Sequence, residues 1–387
     1  MARMPARPER LAGIPGFGID RVAAAAGSDP AVLRLENLDT DLAPPAGVVE
    51  ATRAAVGVDE YNSYLPFTGR DDLKHEVSAL LRRRSGVAYD PATQVVITCT
   101  DGDGLVDALF ATTDPGDEVI VTDPVYAGML NRVRLIGDVP RLVPLHARDG
   151  AWRLDIDALR AAVTPRTRAL FMMNPSFPTG ALLDRNEWDA VVDMCTSRDL
   201  WFIYWSLFEG VVFDGAPIVH PAALPGMAER TVIVGAISIE WRMIGWRVGW
   251  LAGPEWIAPD LALVHIYNGL TPGGIGMAGA VAALRAPAAD LRASVAEWQR
   301  RRDAVMQQLE GLPATSPAGT WSLLMDTRAL GVDPGDFSVR LIGQGVAATP
   351  MTGWGASVAD RHIRFVFSNE PVERLQTLGE RVRLALA

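Results

Sequence analysis

Two amino acids that serve in cross-linking and in nucleophilic catalysis are scarce in this chain of 387 residues. Cys99 and Cys195 are the only cysteines, and Lys74 is the only lysine among 36 lysine and arginine residues. Two cysteines exclude a disulfide framework and favour a reducing, cytoplasmic location. The histidines and acidic residues show no metal-ligand spacing, so no metal is expected. One lysine leaves few positions for a catalytic amine.

Basic residues are also fewer than acidic residues in this chain. The chain carries 46 aspartate and glutamate residues and a net charge of −10. This balance argues against nucleic acid and anionic membrane surfaces as partners, since both require clustered basic residues. The first thirty residues contain no apolar signal core, and no apolar run reaches the length of a membrane span. A hydrophobic content of 49% is ample for a large core and excludes disorder as the main state.

Short apolar runs separated by helical periodicity occupy the middle of the chain. Buried strands that alternate with amphipathic helices form mostly parallel sheets covered on both faces. The pattern therefore predicts an α/β fold with one seven-stranded, mostly parallel sheet. The seven predicted strands are 94–99, 118–122, 141–145, 169–173, 200–205, 231–235 and 248–252.

The pattern changes after about residue 285, where a smaller α+β unit is expected. The first forty-odd residues are rich in proline and are predicted to be irregular. We expect a large α/β domain over residues 46–285 and a small domain made of residues 1–45 and 286–387. The elements predicted after residue 285 are a helix over 288–309, a strand over 321–325, a helix over 334–343, a strand over 362–367 and a helix from Pro371.

Four sequence motifs follow one another in the order and spacing of a known family. In sheets of this kind ligands bind beyond the carboxyl ends of the strands, where loops such as 174–180 and 236–249 should lie. The chain resembles the class I/II aminotransferases of fold type I, from about Ile14 to its C-terminus. The motifs are the Y-x-P…G segment at 61–69, the N-P-x-N-P-T-G counterpart at 174–180, G-W-R-x-G at 245–249 and the small-domain segment at 362–365.

The resemblance implies a cofactor, a dimer and roles for three residues. The family uses pyridoxal phosphate (PLP), and its active site lies at the interface of a homodimer. Tyr64 would reach the partner's cofactor phosphate, Arg247 would hold the phosphate, and Arg364 would grip the substrate α-carboxylate. Tyr126 is at the position whose ring stacks on the cofactor.

The cofactor positions of the family are altered in a systematic way. Ile239 is at the position of the Schiff-base lysine, and its hydrocarbon side chain offers neither a nucleophile nor a proton. Asp101 and Asp103 lie in the phosphate loop, where each would repel a phosphate by ~1–4 kcal/mol. We therefore expect that PLP is not bound covalently and that no cofactor is bound. Four other positions that contact the cofactor in the family are apolar here: Trp205, Phe208, Phe177 and Ala236.

The replacements predict an apolar pocket with one cation. Arg364 would clamp a carboxylate at one end, and Tyr126 would stack on the ligand. The alternatives are a filled cavity, an inter-domain ion pair for Arg364 and core packing for Tyr126. The apolar lining is expected from Trp205, Phe208, Phe177, Ile239 and Trp241.

Glu240 and Tyr126 are the candidate catalytic residues. Glu240 follows the altered lysine position, and burial beside Trp241 would raise the pKa of its carboxyl into a range suited to proton transfer. The alternative for Glu240 is a surface salt bridge to Arg242. Glu209 is interpreted as structural.

The acidic loop and Arg247 allow two interpretations each. Asp101 and Asp103 are either a carboxylate pair or a helix N-cap with a first-turn acid, of which we favour the cap. Arg247 either holds an anion or neutralises one of these aspartates.

The function expected from these residues is a repurposed aminotransferase-fold enzyme that acts without PLP and is not a working transaminase. Proton transfer and positioning would drive cyclisation, isomerisation, condensation or dehydration of a carboxylate-bearing, partly apolar or aromatic molecule, in bacterial specialised metabolism. One alternative is a non-catalytic binding or scaffold homologue. Another is an aminotransferase-like enzyme that binds PLP or pyridoxamine phosphate (PMP) noncovalently. A homodimer is expected in every case.

Overall fold

The computed structural model describes residues 8–16 and 18–387. Residues 1–7 and 17, which belong to the predicted small domain, lie outside the described residues. The strands are β1 Leu33–Arg34, β2 Val95–Thr98, β3 Glu118–Asp123, β4 Val139–Arg148, β5 Ala151–Leu154, β6 Thr167–Met172, β7 Trp201–Trp205, β8 Thr231–Ala236, β9 Gly249–Ala252, β10 Ala314–Thr315, β11 Ser322–Asp326, β12 Val346–Ala347, β13 Thr349–Pro350 and β14 His362–Val366.

The central sheet confirms the predicted α/β fold. Its strand order is β2-β9-β8-β7-β6-β3-β4-β5. Strands β3, β4, β6, β7 and β8 are parallel, whereas β9 runs antiparallel to both of its neighbours. Each of the seven predicted strands is present, and β5 is an eighth. A turn at Asp149 and Gly150, both with positive φ, folds β5 back onto β4 as a hairpin. This edge strand is only half buried, so it lacks the continuous apolar run of the others.

Helices cover the central sheet and lead into the C-terminal part. Helix α1 lies in a segment that was predicted to be irregular. Helices α8 and α9 were not predicted. The helices are α1 Gly18–Ala26, α2 Val48–Val56, α3 Asp71–Ser85, α4 Asp101–Thr112, α5 Ala127–Ile136, α6 Ile156–Ala161, α7 Arg185–Ser197, α8 Ala258–Gly269, α9 Gly274–Leu284, α10 Ala288–Gln308, α11 Pro334–Gly343, α12 Val372–Leu375 and α13 Leu378–Leu386.

Two further sheets lie in the C-terminal part, and one of them includes the N-terminal strand β1. Strands β10, β11, β14 and β13 form an antiparallel sheet with β14 between β11 and β13. Strand β1 pairs in parallel with β12, which brings Leu33 opposite Val346. The predicted domain boundaries at residues 46 and 286 stay a prediction.

A carboxylate at the end of β3 ties the two parts of the molecule together. Asp123 accepts hydrogen bonds from the backbone N–H groups of Val358 and Ala359, at 3.1 and 2.9 Å. Gly355 permits this approach, because a Cβ at that position would lie 2.1 Å from the Asp123 Oδ1 atom. The backbone N–H of Val125 also donates to the Trp354 carbonyl oxygen at 2.8 Å. The loop that follows β13 is therefore held against the carboxyl edge of the central sheet.

Within residues 8–16 and 18–387, every helix is too short or too polar to cross a bilayer. The same described residues contain no group of three or more His, Cys, Asp or Glu side chains placed to hold a metal ion.

Candidate active site

A cleft of about 250 Å³ opens where the carboxyl ends of the central strands face β14. The end of a sheet is where this topology binds ligands. Six of the residues predicted from the sequence line the cleft: Tyr126, Phe177, Trp205, Ile239, Arg247 and Arg364.

Arg364 is the most unusual group in the cleft. Its side chain is fully buried, and its Nη2 atom donates to the Glu36 carbonyl oxygen at 2.5 Å. The Nε and Nη1 atoms have no hydrogen-bond partner among the described residues. Burial lowers the pKa of Arg364 to about 9. Burying a cation is costly when two of its donor nitrogens lack a partner in the described part of the chain, and a ligand carboxylate can accept a hydrogen bond from either nitrogen.

Aromatic rings surround this guanidinium. The Arg364 Cζ atom lies 4.5 Å from the ring centroid of Trp354 and 5.5 Å from that of Phe177. Such cation–π contacts offset part of the cost of burying the charge. The Tyr126 ring lies 5.6 Å from Trp354 and 5.5 Å from Trp205, centroid to centroid. Sequence reasoning missed Trp354, although its position between two glycines was a signal of a tight loop.

Three of the predicted residues lie away from this cleft. Phe208 stacks behind Phe177, at 5.5 Å between centroids. Trp241 packs edge-on against Trp250. Tyr64 is 79% exposed and lines a neighbouring open groove, which it shares with Arg247. None of these three side chains is therefore placed to touch a ligand in the cleft, and the predicted substrate roles of Phe208 and Trp241 have no geometric support.

The other end of the cleft is polar and lies at the N-terminus of α4. Thr100 is the N-cap, since its side chain accepts a hydrogen bond from the Asp103 N–H at 3.1 Å. Both aspartates are thus first-turn acids, and neither of them is the cap. Asp101 is buried and lines the cleft together with Ser238, whose buried Oγ atom has no hydrogen-bond partner among the described residues. Arg247 is exposed at this end, where its Nη1 atom donates to a backbone carbonyl oxygen.

Glu240 does not face the cleft. Its carboxylate pairs with Arg84 and accepts the Gly210 N–H at 2.8 Å. The alternative of a salt bridge to Arg242 is also wrong, because that guanidinium pairs with Asp290. The side chain after a strand end can point to either face of the sheet, and this one points away from the ligand. The geometry therefore gives no support to Glu240 as an acid–base residue.

Glu240 belongs instead to a buried ionic cluster beneath the cleft. Arg84 also contacts Glu209 at 3.3 Å, so one cation serves two carboxylates. Burial raises the pKa of Glu209 to about 7, against the opposing effect of Arg84. His220 lies 4.0 Å from Glu209, and burial lowers its pKa to about 3, which keeps the imidazole neutral. This cluster holds the loops after β7 and β8 in place, and residues of both loops line the cleft.

With this geometry established, comparison with known proteins identifies the family. The model of the class I and II aminotransferases matches residues 32–382. The chain therefore belongs to the aminotransferase class I and II family.

Individual relatives agree with this assignment. The chain is 35% identical over 351 residues to the arginine–pyruvate transaminase of Pseudomonas aeruginosa, covering 88% of this chain and 87% of the relative. It superposes with a TM-score of 0.91 on the structure of N-succinyldiaminopimelate aminotransferase from Mycobacterium tuberculosis, at 30% identity over 99% of this chain and 100% of the other. The structure of Thermus thermophilus aspartate aminotransferase with maleate gives a TM-score of 0.90 at 27% identity, over 98% and 100% of the two chains.

These relatives overturn the reaction class expected from the sequence. A PLP-independent cyclase, isomerase, condensing enzyme or dehydratase, as opposed to a working transaminase, was the wrong prediction, because the relatives carry transaminase and aminotransferase names. An isoleucine at the position that the resemblance assigns to the Schiff-base lysine does not by itself supply another reaction, and Glu240 is not available in the cleft as the expected acid or base.

The cofactor that the family implies can be tested against the residues present. The unpartnered Ser238 Oγ atom, Arg247 and the first turn of α4 can all donate to a phosphate group. Tyr126 and Trp205 offer ring faces between this end and Arg364. Ile239 offers no amine for a covalent bond. The residues thus fit a phosphate-bearing ligand held noncovalently, against the repulsion of the buried Asp101 carboxylate, and none of the residues that line the cleft is a lysine that could attach it covalently.

The buried cluster predicts a pH dependence of stability. The folded-state pKa of Glu209, about 7, lies above its ordinary value of 4.5, so the folded state binds this proton more tightly. The free energy of unfolding should then fall as pH rises from about 4.5 to about 7. Glu209→Gln should flatten this part of the profile, measured by urea unfolding at about pH 5 and about pH 7.5.

The exposed Glu255 provides a matched control. Glu255→Gln should keep the wild-type slope. An unchanged slope in Glu209→Gln would mean that Glu209 stays ionised in the folded protein over this pH range.

Proposed function

We propose that this chain binds an amino or keto acid by its carboxylate, as part of amino-group transfer with PLP or PMP held noncovalently. The observation that supports this most directly is the fully buried Arg364, two of whose nitrogens have no hydrogen-bond partner within residues 8–16 and 18–387. The transaminase names of the relatives support the reaction class.

The lining of the cleft favours a substrate with an apolar or aromatic body. A carboxylate on Arg364 would place the rest of the molecule against Phe177, Tyr126 and Trp205. Ring contacts of this kind contribute binding free energy beyond the area they bury. Dicarboxylates should bind less tightly, because the Asp101 carboxylate at the opposite end of the cleft would repel their second carboxylate.

Each residue has a role in this proposal that does not depend on a covalent bond to the protein. The carboxylate clamp would be Arg364, and the rings of Phe177 and Trp354 would exclude water from it. Tyr126 would stack on the ligand and hold a proton at its Oη atom, since burial raises the pKa of its phenol. When bound, the cofactor supplies the electron sink for chemistry at the substrate α-carbon.

The carboxylate clamp can be tested without turnover. We expect 3-phenylpropionate to bind the wild-type protein and 3-phenylpropanamide, which lacks the charge, to bind much more weakly. Arg364→Met should weaken binding of the acid by ~2–5 kcal/mol, because the lost contact is a desolvated charge pair. Isothermal titration calorimetry measures both effects.

Arg361→Met is the matched control, since Arg361 lies three residues before Arg364 but pairs with Asp326 at the surface. It should bind the acid like the wild type. Equal binding of acid and amide, or full binding by Arg364→Met, would contradict the clamp. Incubation of the protein with PMP and phenylpyruvate then distinguishes a transaminase from a non-catalytic binding homologue. Production of phenylalanine supports the transaminase. Binding of the acid without any product identifies the binding homologue.

We also propose that the chain works as a homodimer. Tyr64 and Tyr267 are 79% and 85% exposed, and Leu263 is 53% exposed. Tyr64 lines its groove together with the segment that links α8 to α9, and Leu263 and Tyr267 lie on α8. A second copy that covers this groove would enclose the side chains of Tyr64 and Arg247.

Light scattering should give about twice the chain mass of 41.7 kDa at micromolar concentration. Tyr267→Glu should shift the mass toward one chain, because it would bury a charge in the interface. The control Val339→Glu, on α11 and 71% exposed in the single chain, should leave the dimer intact. A wild-type mass of one chain would contradict the proposal.

A further inference from the structure

The N-terminus of α4 is built as an anion site. Its first-turn backbone N–H groups and the positive end of the helix dipole favour negative charge. A second, independent observation is Ser238, which lines the same end of the cleft. This side chain is 6% exposed, and its Oγ atom has no hydrogen-bond partner among the described residues.

A carboxylate of the chain itself already lies at this site. Asp101 is the first residue of α4 and only 8% exposed, although the cleft reaches it. Burial raises the pKa of its carboxyl, while the positive charges of Arg247 and Arg132 act in the opposite direction. Two arginines from different elements thus compensate this one buried acid.

The position of Arg132 is determined by two glycines. Its Nε atom donates to the Gly102 carbonyl oxygen at 3.0 Å, and its Nη1 atom donates to the Gly128 carbonyl oxygen at 2.9 Å. A Cβ at Gly102 would lie 2.7 Å from the Nη2 atom, and one at Gly128 would lie 2.8 Å from the Nη1 atom. Small residues at both positions therefore allow the guanidinium to lie against the first turn of α4.

We propose that Asp101 is a built-in competitor for this anion site, so that a phosphate group binds at α4 only against the repulsion of the Asp101 carboxylate. The residue would thereby determine how tightly the chain holds any phosphate-bearing ligand. The inference rests on the proposed function only for the identity of that ligand as PMP or PLP.

The test uses inorganic phosphate and PMP as separate probes in titration calorimetry. Asp101→Asn keeps the shape of the side chain and removes its charge, so both probes should bind roughly ten- to a thousandfold more tightly than to the wild type. Asp103→Asn is the matched control, because Asp103 lies in the same turn but outside the cleft lining. It should change the affinity by less than about threefold.

A second variant keeps the test informative if an asparagine is poorly accommodated at this buried position. Asp101→Gly removes the side chain and should also tighten phosphate binding, and Arg247→Gln in either background should reduce that gain. Unchanged phosphate affinity in both Asp101 variants, or an equal gain in Asp103→Asn, would overturn the proposal.

The effect of the Asp101 variants on phosphate binding can be judged separately from acid binding at Arg364, which tests the proposed function. Tighter phosphate binding by the Asp101 variants, together with no acid binding at Arg364, would support the competitor and reject the proposed function. The reverse result would reject the competitor alone.

Discussion

The cleft depends on one constraint, a buried guanidinium with two nitrogens that find no hydrogen-bond partner in the part of the chain that the structure describes. An uncompensated buried charge costs several kcal/mol, so the surrounding structure must hold Arg364 in place at the expense of stability. The Glu36 carbonyl oxygen and the rings of Phe177 and Trp354 do so, while the Nε and Nη1 atoms have no hydrogen-bond partner in the described part of the chain. A group arranged in this way is suited to a ligand that brings its own carboxylate.

The elements that surround Arg364 come from distant parts of the chain, which makes the cleft a product of the whole fold. Strand β14 carries the arginine, Glu36 follows β1, and Trp354 is held against the central sheet through Asp123. At the opposite end, Asp101 and Arg247 lie at the N-terminus of α4. The cleft therefore has a cationic end, an aromatic middle and an end of mixed charge, and this polarity gives a small ligand one orientation.

Most of the central sheet was predictable from the sequence, because buried strands such as β3 and β8 are continuous apolar runs. The edge strand β5 was not predicted, because its residues are alternately buried and partly exposed and form no such run. The motifs also placed Phe177, Trp205 and Ile239 near one another, and all three line the cleft. The predicted acid–base role of Glu240 found no support, because its partner Arg84 is far away in the sequence and the pairing could not be foreseen. Trp354 and the free Ser238 hydroxyl depend on tertiary contacts that no local pattern encodes. The chemistry of Ile239 alone did not identify the reaction class.

The central claim is that Arg364 receives the carboxylate of the ligand. A crystal structure of the protein soaked with 3-phenylpropionate tests it most directly. The account predicts a carboxylate oxygen about 2.7–2.9 Å from the Nε or the Nη1 atom of Arg364 and the phenyl ring against Phe177 or Tyr126. A ligand bound elsewhere, with Arg364 paired to a side chain of the protein, would contradict it.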